Sequence, residues 1–169
     1  MTAMSGFRAK IQSDWGGINE YFTIPTPGGG EALMTAPHRI VNPESLPKPV
    51  GFAHAIVAAP GRTVYLGGQA ALEADGFTVI SVGLIEHFDR SLFFVVEALK
   101  AAGGSPEHLV SMLVFVTDAA EYRENMRSLG KIWRSHVGRH YPAMTLLQVG
   151  GLLYPELQVE LLATAVIPD

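Results

Sequence analysis

The sequence predicts an α+β fold, a sheet with the element order ββαβαββ and both helices on one face. Three observations carry that prediction. Two stretches place apolar residues at helical spacing, five short runs are apolar or alternating as strands are, and Gly/Pro clusters separate them.

Residues 1–37 stand apart from the rest. Phe7, Trp15, Ile18, Tyr21, Phe22 and Ile24 follow no period, and the Pro25-Thr26-Pro27-Gly28-Gly29-Gly30 stretch marks a loop or a boundary. Disordered segments are poor in aromatic residues, so the expectation is an extension docked on a domain that spans residues 38–169. That domain opens with a short strand at HRIVN and the turn-rich PESLPKPVG. The runs FAHAIVAA (52–59) and TVYLGGQ (63–69) follow, and the Pro60-Gly61 turn between them predicts a hairpin. Leu84, Phe88, Leu92, Val95 and Leu99 form the stripe of an amphipathic helix that stops at Gly103-Gly104. SPEHL reads as a single capped turn. VSMLVFVT (110–117) is apolar nearly throughout, as in a strand covered on both faces. Asp118 with Glu121 has the spacing of a capping box, and Tyr122, Met126, Leu129 and Trp133 mark the second helix. Two strands close the chain, AMTLLQVG (143–150) and LQVELLATAV (157–166), the second placing Glu160 with Gln158 and Leu162 on one face.

Composition narrows the function. The chain has 169 residues, one domain's worth, with 12 basic and 16 acidic side chains and a net charge of −4, and no run of Lys or Arg that could track a phosphate backbone. Nucleic acid is therefore not the expected partner. With no cysteine, disulfides, thiolate metal sites and a Cys nucleophile are excluded. The N-terminus lacks the apolar core of a signal peptide and no stretch is long enough to span a bilayer, which predicts a cytoplasmic protein with no membrane partner. Hydrophobic residues make up 48% of the chain and charged ones 17%, more apolar surface than one small domain buries, which makes an oligomer the expectation. His136 and His140 stand four apart without a carboxylate at ligand spacing, and no metal is expected. Neither a nucleophile-elbow pattern nor a phosphate-cradling glycine loop occurs.

Gly67-Gly68-Gln69 repeats the letters of the loop with which translation release factors present a glutamine to an ester. Here the three residues close a hydrophobic strand in an acidic chain, not an exposed loop of a basic domain, which sets that function aside.

The landmarks GFAHAI, VYLGGQ, ALKAAGG, MLVFVTD, YRENM, YPAMTLLQV and VELLATAV, in that order from His38 to the C-terminus, resemble the RidA family, also called YjgF/YER/UK proteins or L-PSP endoribonucleases. The resemblance implies a chorismate-mutase-like fold assembled as a homotrimer, with ligand clefts between subunits. It also implies cofactor-independent hydrolysis of reactive enamines and imines. In the family, the stretch matching Gly67, Gly68 and Gln69 lines the cleft, with a serine commonly at the place of Gly67. Glu160 matches the glutamate that positions the attacking water. A carboxylate in an apolar strand suits acid/base work, the alternative being a solvated strand-face glutamate. His54 lies near the family's cleft tyrosine, where a neutral imidazole orients substrate or transfers a proton, or simply closes a hydrogen bond at a strand edge. Asn125 matches an interface asparagine able to bond a substrate carbonyl or to tie a helix to a neighbouring subunit. Thr145 and Tyr141 offer a hydroxyl and a phenol.

One departure from the family pattern bears on the substrate. Where the deaminases carry an arginine that grips the substrate carboxylate, this chain has Met144 in Pro142-Ala143-Met144-Thr145. A thioether offers neither charge nor donors to a carboxylate. The expected activity is thus deamination of a reactive intermediate other than a simple 2-imino acid. The alternatives are a non-catalytic ligand-binding or regulatory trimer and an endoribonuclease.

Overall fold

The computed structural model describes residues 37–80 and 83–169. The extension expected to dock, residues 1–37, lies outside them except for Pro37. In chain order the elements are β1 (Arg39–Val41), β2 (Ala55–Val57), β3 (Gly61–Ala70), α1 (Gly83–Ala101), a 3-10 turn (Pro106–His108), β4 (Leu109–Val116), α2 (Ala119–Glu124), α3 (Met126–His136), β5 (Ala143–Gln148) and β6 (Val159–Pro168). Strands β3, β6, β4 and β5 form one sheet in that spatial order. Strand β6 runs antiparallel to both of its neighbours, whereas β5 is parallel to β4. A parallel pair needs a crossover, and α2 and α3 supply it.

Each helix forms where its sequence stops competing with it. On α1 the buried positions Leu84, His87, Phe88, Ser91, Leu92, Val95, Val96 and Leu99 trace one stripe, and the helix ends as Gly103 takes a φ of 85° and the Gly104 N–H donates to the Leu99 carbonyl at 2.9 Å. A Cβ on Gly104 would strike the Leu99 side chain, so a larger residue does not fit this stop. Asp118 caps α2, its Oδ1 accepting the N–H groups of Ala120 at 2.8 Å and Glu121 at 3.0 Å. The expected single second helix is broken at Asn125, whose φ of −98° and ψ of 6° leave helical geometry and redirect the chain into α3.

The predicted hairpin between the second and third strands does not form. Ile56 of β2 pairs with Ile40 of β1 in a separate two-stranded sheet, and the β3 partner is β6. The Ala53 N–H donates to the Pro142 carbonyl at 2.9 Å, which seats the chain ahead of β2 beside the start of β5. Strands β5 and β3 are opposite edges of the sheet, so residues 58–60 must cross it, and the Pro60-Gly61 pair ends a crossing and not a two-strand turn.

Both long helices lie on one face. From beneath, β6 contributes Val159, Leu161, Ala163 and Ala165 and β4 contributes Met112, Val114 and Val116, packed against the α1 stripe with Leu129 and Trp133 of α3. Among the described residues the opposite face has no cover. Leu113 and Phe115, expected to be buried on a doubly covered strand, are only partly buried, and Leu147 and Leu162 keep 41% and 39% of their surface. Among the described residues no helix is long and apolar enough to cross a membrane.

Ser91 stands out on the buried stripe. It is 0% exposed and its Oγ has no hydrogen-bond partner among the described residues. A buried hydroxyl left unpaired carries a desolvation cost, and alanine is the better helix former. Ser91→Ala is accordingly expected to stabilise the fold by about 1 kcal/mol. Urea unfolding of the two proteins side by side checks this, and a lower midpoint for the variant contradicts it.

Candidate functional site

The uncovered face of the sheet carries one carboxylate. Alternation along β6 turns Glu160, Leu162 and Thr164 outward, and the register sets Glu160 between Ala70 of β3 and Phe115 of β4. Gln158, expected on the same face, precedes the strand. Its carbonyl accepts the Thr117 N–H at 3.1 Å and its side-chain amide reaches Glu121 Oε2 at 2.9 Å, so it belongs to the helix-side packing.

A β-bulge in β3 makes room for the carboxylate. Leu66 pairs with Ala163 and Gln69 with Leu161, which leaves Gly67 and Gly68 together opposite Leu162. A Cβ on Gly68 would collide with the Glu160 carboxylate, whereas a Cβ on Gly67 would meet nothing within 4 Å. The two glycines are thus unequal: Gly68 is demanded by the glutamate and Gly67 by nothing among the described residues. Gln69 closes the bulge with Nε2 donating to the Gly67 carbonyl at 3.2 Å. The register of β5 against β4 places Thr145 on this same outward face, beside Leu113.

The other candidates lie elsewhere in the chain. Met144 pairs with buried Met112, so it faces the helices, where with Tyr141, Trp133, Tyr122, Met126 and Leu129 it lines a small, mostly aromatic cavity. Tyr141 is stacked on Trp133 with ring centroids 5.5 Å apart. Burial pushes its phenol pKa up while the neighbouring Arg134 pulls the other way, and burial alone drives the Tyr122 phenol above its ordinary range. Asn125 spends its side-chain amide on the Glu121 carbonyl at 2.9 Å, which fixes the end of α2. His54 lies before β2. Its backbone N–H donates to Asn42 Oδ1 at 2.9 Å and its Nε2 reaches the Pro47 carbonyl at 2.8 Å, so the ring ties down the loop that precedes it. A single chain therefore gathers Glu160, Gly67, Gly68 and Thr145 on the outward face, sets Tyr141 and Met144 behind the sheet, and keeps His54 and Asn125 in local bonds.

His136 and His140 are not held together. The first pairs with Asp89 at 2.7 Å and the second donates from Nε2 to the Leu109 carbonyl at 2.7 Å. Among the described residues no group of three or more His, Asp or Glu side chains is arranged to hold a metal ion.

Sequence reasoning passed over two histidines. His38 and His87, 3% and 2% exposed, each bridge a loop to an end of β6. His87 Nε2 reaches the Ile80 carbonyl at 2.8 Å and its Nδ1 accepts the Gln158 N–H at 3.2 Å. For His87 a signal existed, since it sits at a core position of the α1 stripe where a polar residue needs partners. For His38 there was none.

With this geometry in place, comparison with known proteins settles the family. Residues 44–167 match the family described as Endoribonuclease L-PSP, and the chain belongs to that family, the RidA/YjgF group. It is similar to the human 2-iminobutanoate/2-iminopropanoate deaminase, with 24% identity over 68% of this chain and 80% of the human protein. Among solved structures it resembles a Rid-family protein of unknown function, YyfB from Yersinia pestis, with 30% identity, a TM-score of 0.68 and coverage of 78% of this chain and 99% of that one. RidA from an Antarctic Psychrobacter shares the fold at 23% identity and a TM-score of 0.55, over 76% of this chain and 99% of its own.

The unequal glycines yield a test. Gly68→Ala is expected to displace the Glu160 carboxylate with little loss of stability, because the group in the way is the end of a flexible side chain. Gly67→Ala is expected to leave the carboxylate in place. The side-chain carboxyl resonance of Glu160, followed by carbon NMR, reports both. If Gly68→Ala leaves that resonance unmoved, the carboxylate does not rest against the glycine.

Proposed function

We propose that the protein is a cofactor-independent hydrolase that deaminates a reactive enamine or imine, working in a cleft completed by a neighbouring copy in a homotrimer. The observation that carries this is Glu160. It is the sole carboxylate at the outward positions of the four sheet strands, where the exposed Tyr65 is the other ionisable side chain; it is partly buried, and no donor from the described residues occupies its carboxylate. Such a group is free to hold and deprotonate a water molecule.

The chemistry then follows simply. An enamine takes a proton on carbon from the Glu160 carboxyl group to become the iminium ion. The Glu160 carboxylate removes a proton from water as its oxygen bonds to the iminium carbon, and the C=N pair moves onto nitrogen. The same carboxyl group protonates the nitrogen of the resulting carbinolamine, and the C–N bond breaks as the hydroxyl proton returns to the carboxylate, leaving a carbonyl compound and ammonia. Overall one imine and one water give one carbonyl and one ammonia, with no change of oxidation state.

The substrate proposed here lacks the carboxylate of a 2-imino acid. No Lys or Arg occupies an outward position of the sheet, and Met144 stands where the family resemblance calls for a carboxylate-gripping arginine. Membership of a family that includes deaminases supports the hydrolytic step and leaves the side chain of the substrate to this chain's own residues. The partly exposed Leu113, Phe115, Leu147 and Leu162 support the assembly, since a second copy laid over them removes apolar surface from water.

Glu160→Gln should keep the fold and lose about 10²- to 10⁴-fold in turnover, because an amide orients water without taking its proton. Ammonia release from neutral and carboxylate-bearing enamines, generated in place by an amine or amino-acid oxidase, measures both the loss and the preference, with circular dichroism as the check on folding. Turnover by Glu160→Gln equal to wild type removes the acid/base role. Absence of turnover by wild type on every enamine leaves the ligand-binding trimer in its place.

Light scattering at micromolar concentration is expected to give three times the chain mass. A stable monomer would defeat the shared cleft.

A further inference from the structure

A second group of titratable side chains lies away from Glu160, at the far end of β6. His38 reaches the Val166 carbonyl with Nε2 at 2.8 Å, and its Nδ1 faces the Ala59 N–H at 3.2 Å. A carbonyl only accepts and an amide N–H only donates, so both bonds are made by the tautomer with its proton on Nε2. His108 of the 3-10 turn lies 6.4 Å from it, centroid to centroid, and accepts the Ser105 N–H on Nδ1 at 3.0 Å. His140, from the loop before β5, donates from Nε2 to the Leu109 carbonyl. Among the described residues Glu107 is the carboxylate acting on this group: burial opposes its charge, but its own N–H and the Ser105 hydroxyl, with His108 and His140 behind them, keep its pKa below the ordinary value. Among the described residues the facing segments 58–60 and 164–168 contain no ionisable side chain. Arg39, Arg62 and Asp169 flank the site and are exposed.

We propose that His38, His108 and His140 form an acid-sensitive latch that holds the point where the chain enters the domain, residues 37–41, onto strand β6, and that proton uptake releases it. Two features make it a latch and not three independent rings. A second proton on His38 has to sit on Nδ1, where it faces the Ala59 N–H, so charging the ring breaks a bond that the neutral form makes. One charge on the group is balanced by Glu107, but further charges meet only one another. The direction is set by His140. Burial holds its pKa below the ordinary 6.5, the Leu109 carbonyl and Glu107 pull it up, and His38 and His108 push it down. The unfolded chain therefore takes up this proton more readily than the folded one, and stability present above that ordinary pKa is lost as the pH falls toward the folded-state value.

The latch is independent of the proposed catalysis and is read at one amide. In the full-length wild type, protection of the Ala59 N–H against hydrogen exchange, corrected for intrinsic rate, should fall by about tenfold or more between about pH 7.5 and 5, while the Leu161 and Ala163 amides of β6 stay protected. His38→Gln offers a carbonyl and an N–H to the same two partners without titrating, and its Ala59 protection should not depend on pH. Persistence of the full acid loss in that variant overturns the latch, as does equal loss at Leu161 and Ala163, which means global unfolding. Should the variant not fold, imidazole nitrogen shifts of the wild type decide: a neutral His38 ring down to the pH of global unfolding also overturns it.

Discussion

A strand has two faces, and one layer of helices can bury only one of them. For β6 this governs the rest of the molecule. Its inward residues, Val159, Leu161, Ala163 and Ala165, hold the core together because β3 and β4 fix their register from both sides. The same register obliges Glu160, Leu162 and Thr164 to face outward, where no part of the described chain lies over them. Burying a leucine or phenylalanine side chain stabilises by about 1.5–3 kcal/mol. Association costs about 4–15 kcal/mol in lost freedom. Leu113, Phe115, Leu147 and Leu162 are already partly buried, so covering each would contribute only a fraction of that, and an assembly over this face would need contacts beyond these four side chains.

Glutamate and glycine in this site explain each other. A regular β3 would carry a side chain at the place of Gly68, and the carboxylate would have to turn away into solvent. The bulge and the missing Cβ let it lie along the sheet instead. That position keeps the carboxylate oxygens close to the surface a ligand would touch, and without a bonded donor they are left to water or to a ligand N–H. Gly67 has no such duty. Its lack of a side chain leaves space that no described residue fills.

Much of this was legible in the sequence because it is local. The α1 stripe, its glycine stop and the Asp118 cap rest on residues within a few positions of one another, and all three appear in the structure as the spacing indicates. The hairpin failed because strand pairing is a long-range choice: β6, about a hundred residues later in the chain, offers β3 eight residue pairs of ladder, and three-residue β2 cannot compete with that. Alternation put Glu160 with Leu162 correctly and Gln158 wrongly, since the strand begins at Val159 and no period reveals where a ladder starts. The break at Asn125 was hidden because the apolar stripe continues through it. Site residues could be nominated one by one, but their division between two faces of the sheet depends on the parallel pairing of β4 with β5, which the crossover through α2 and α3 creates.

Strand β6 is also fixed at both ends by imidazoles of one kind. His87 holds the Gln158 N–H ahead of the strand and His38 holds the Val166 carbonyl near its end, and in each ring one nitrogen donates while the other accepts. An asparagine or glutamine can make the same pair of bonds, and a protonated histidine cannot. The position of Glu160, two residues from Gln158, is thus set by the β3 and β4 ladders along its length and by neutral rings at its ends. The two ends differ in what surrounds them. His38 has two further histidines and one carboxylate near it, whereas the bonds at His87 lead through Gln158 to Glu121, so the end of β6 beside Glu160 is tied through a chain of side chains to α2 and the remote end is tied only to backbone.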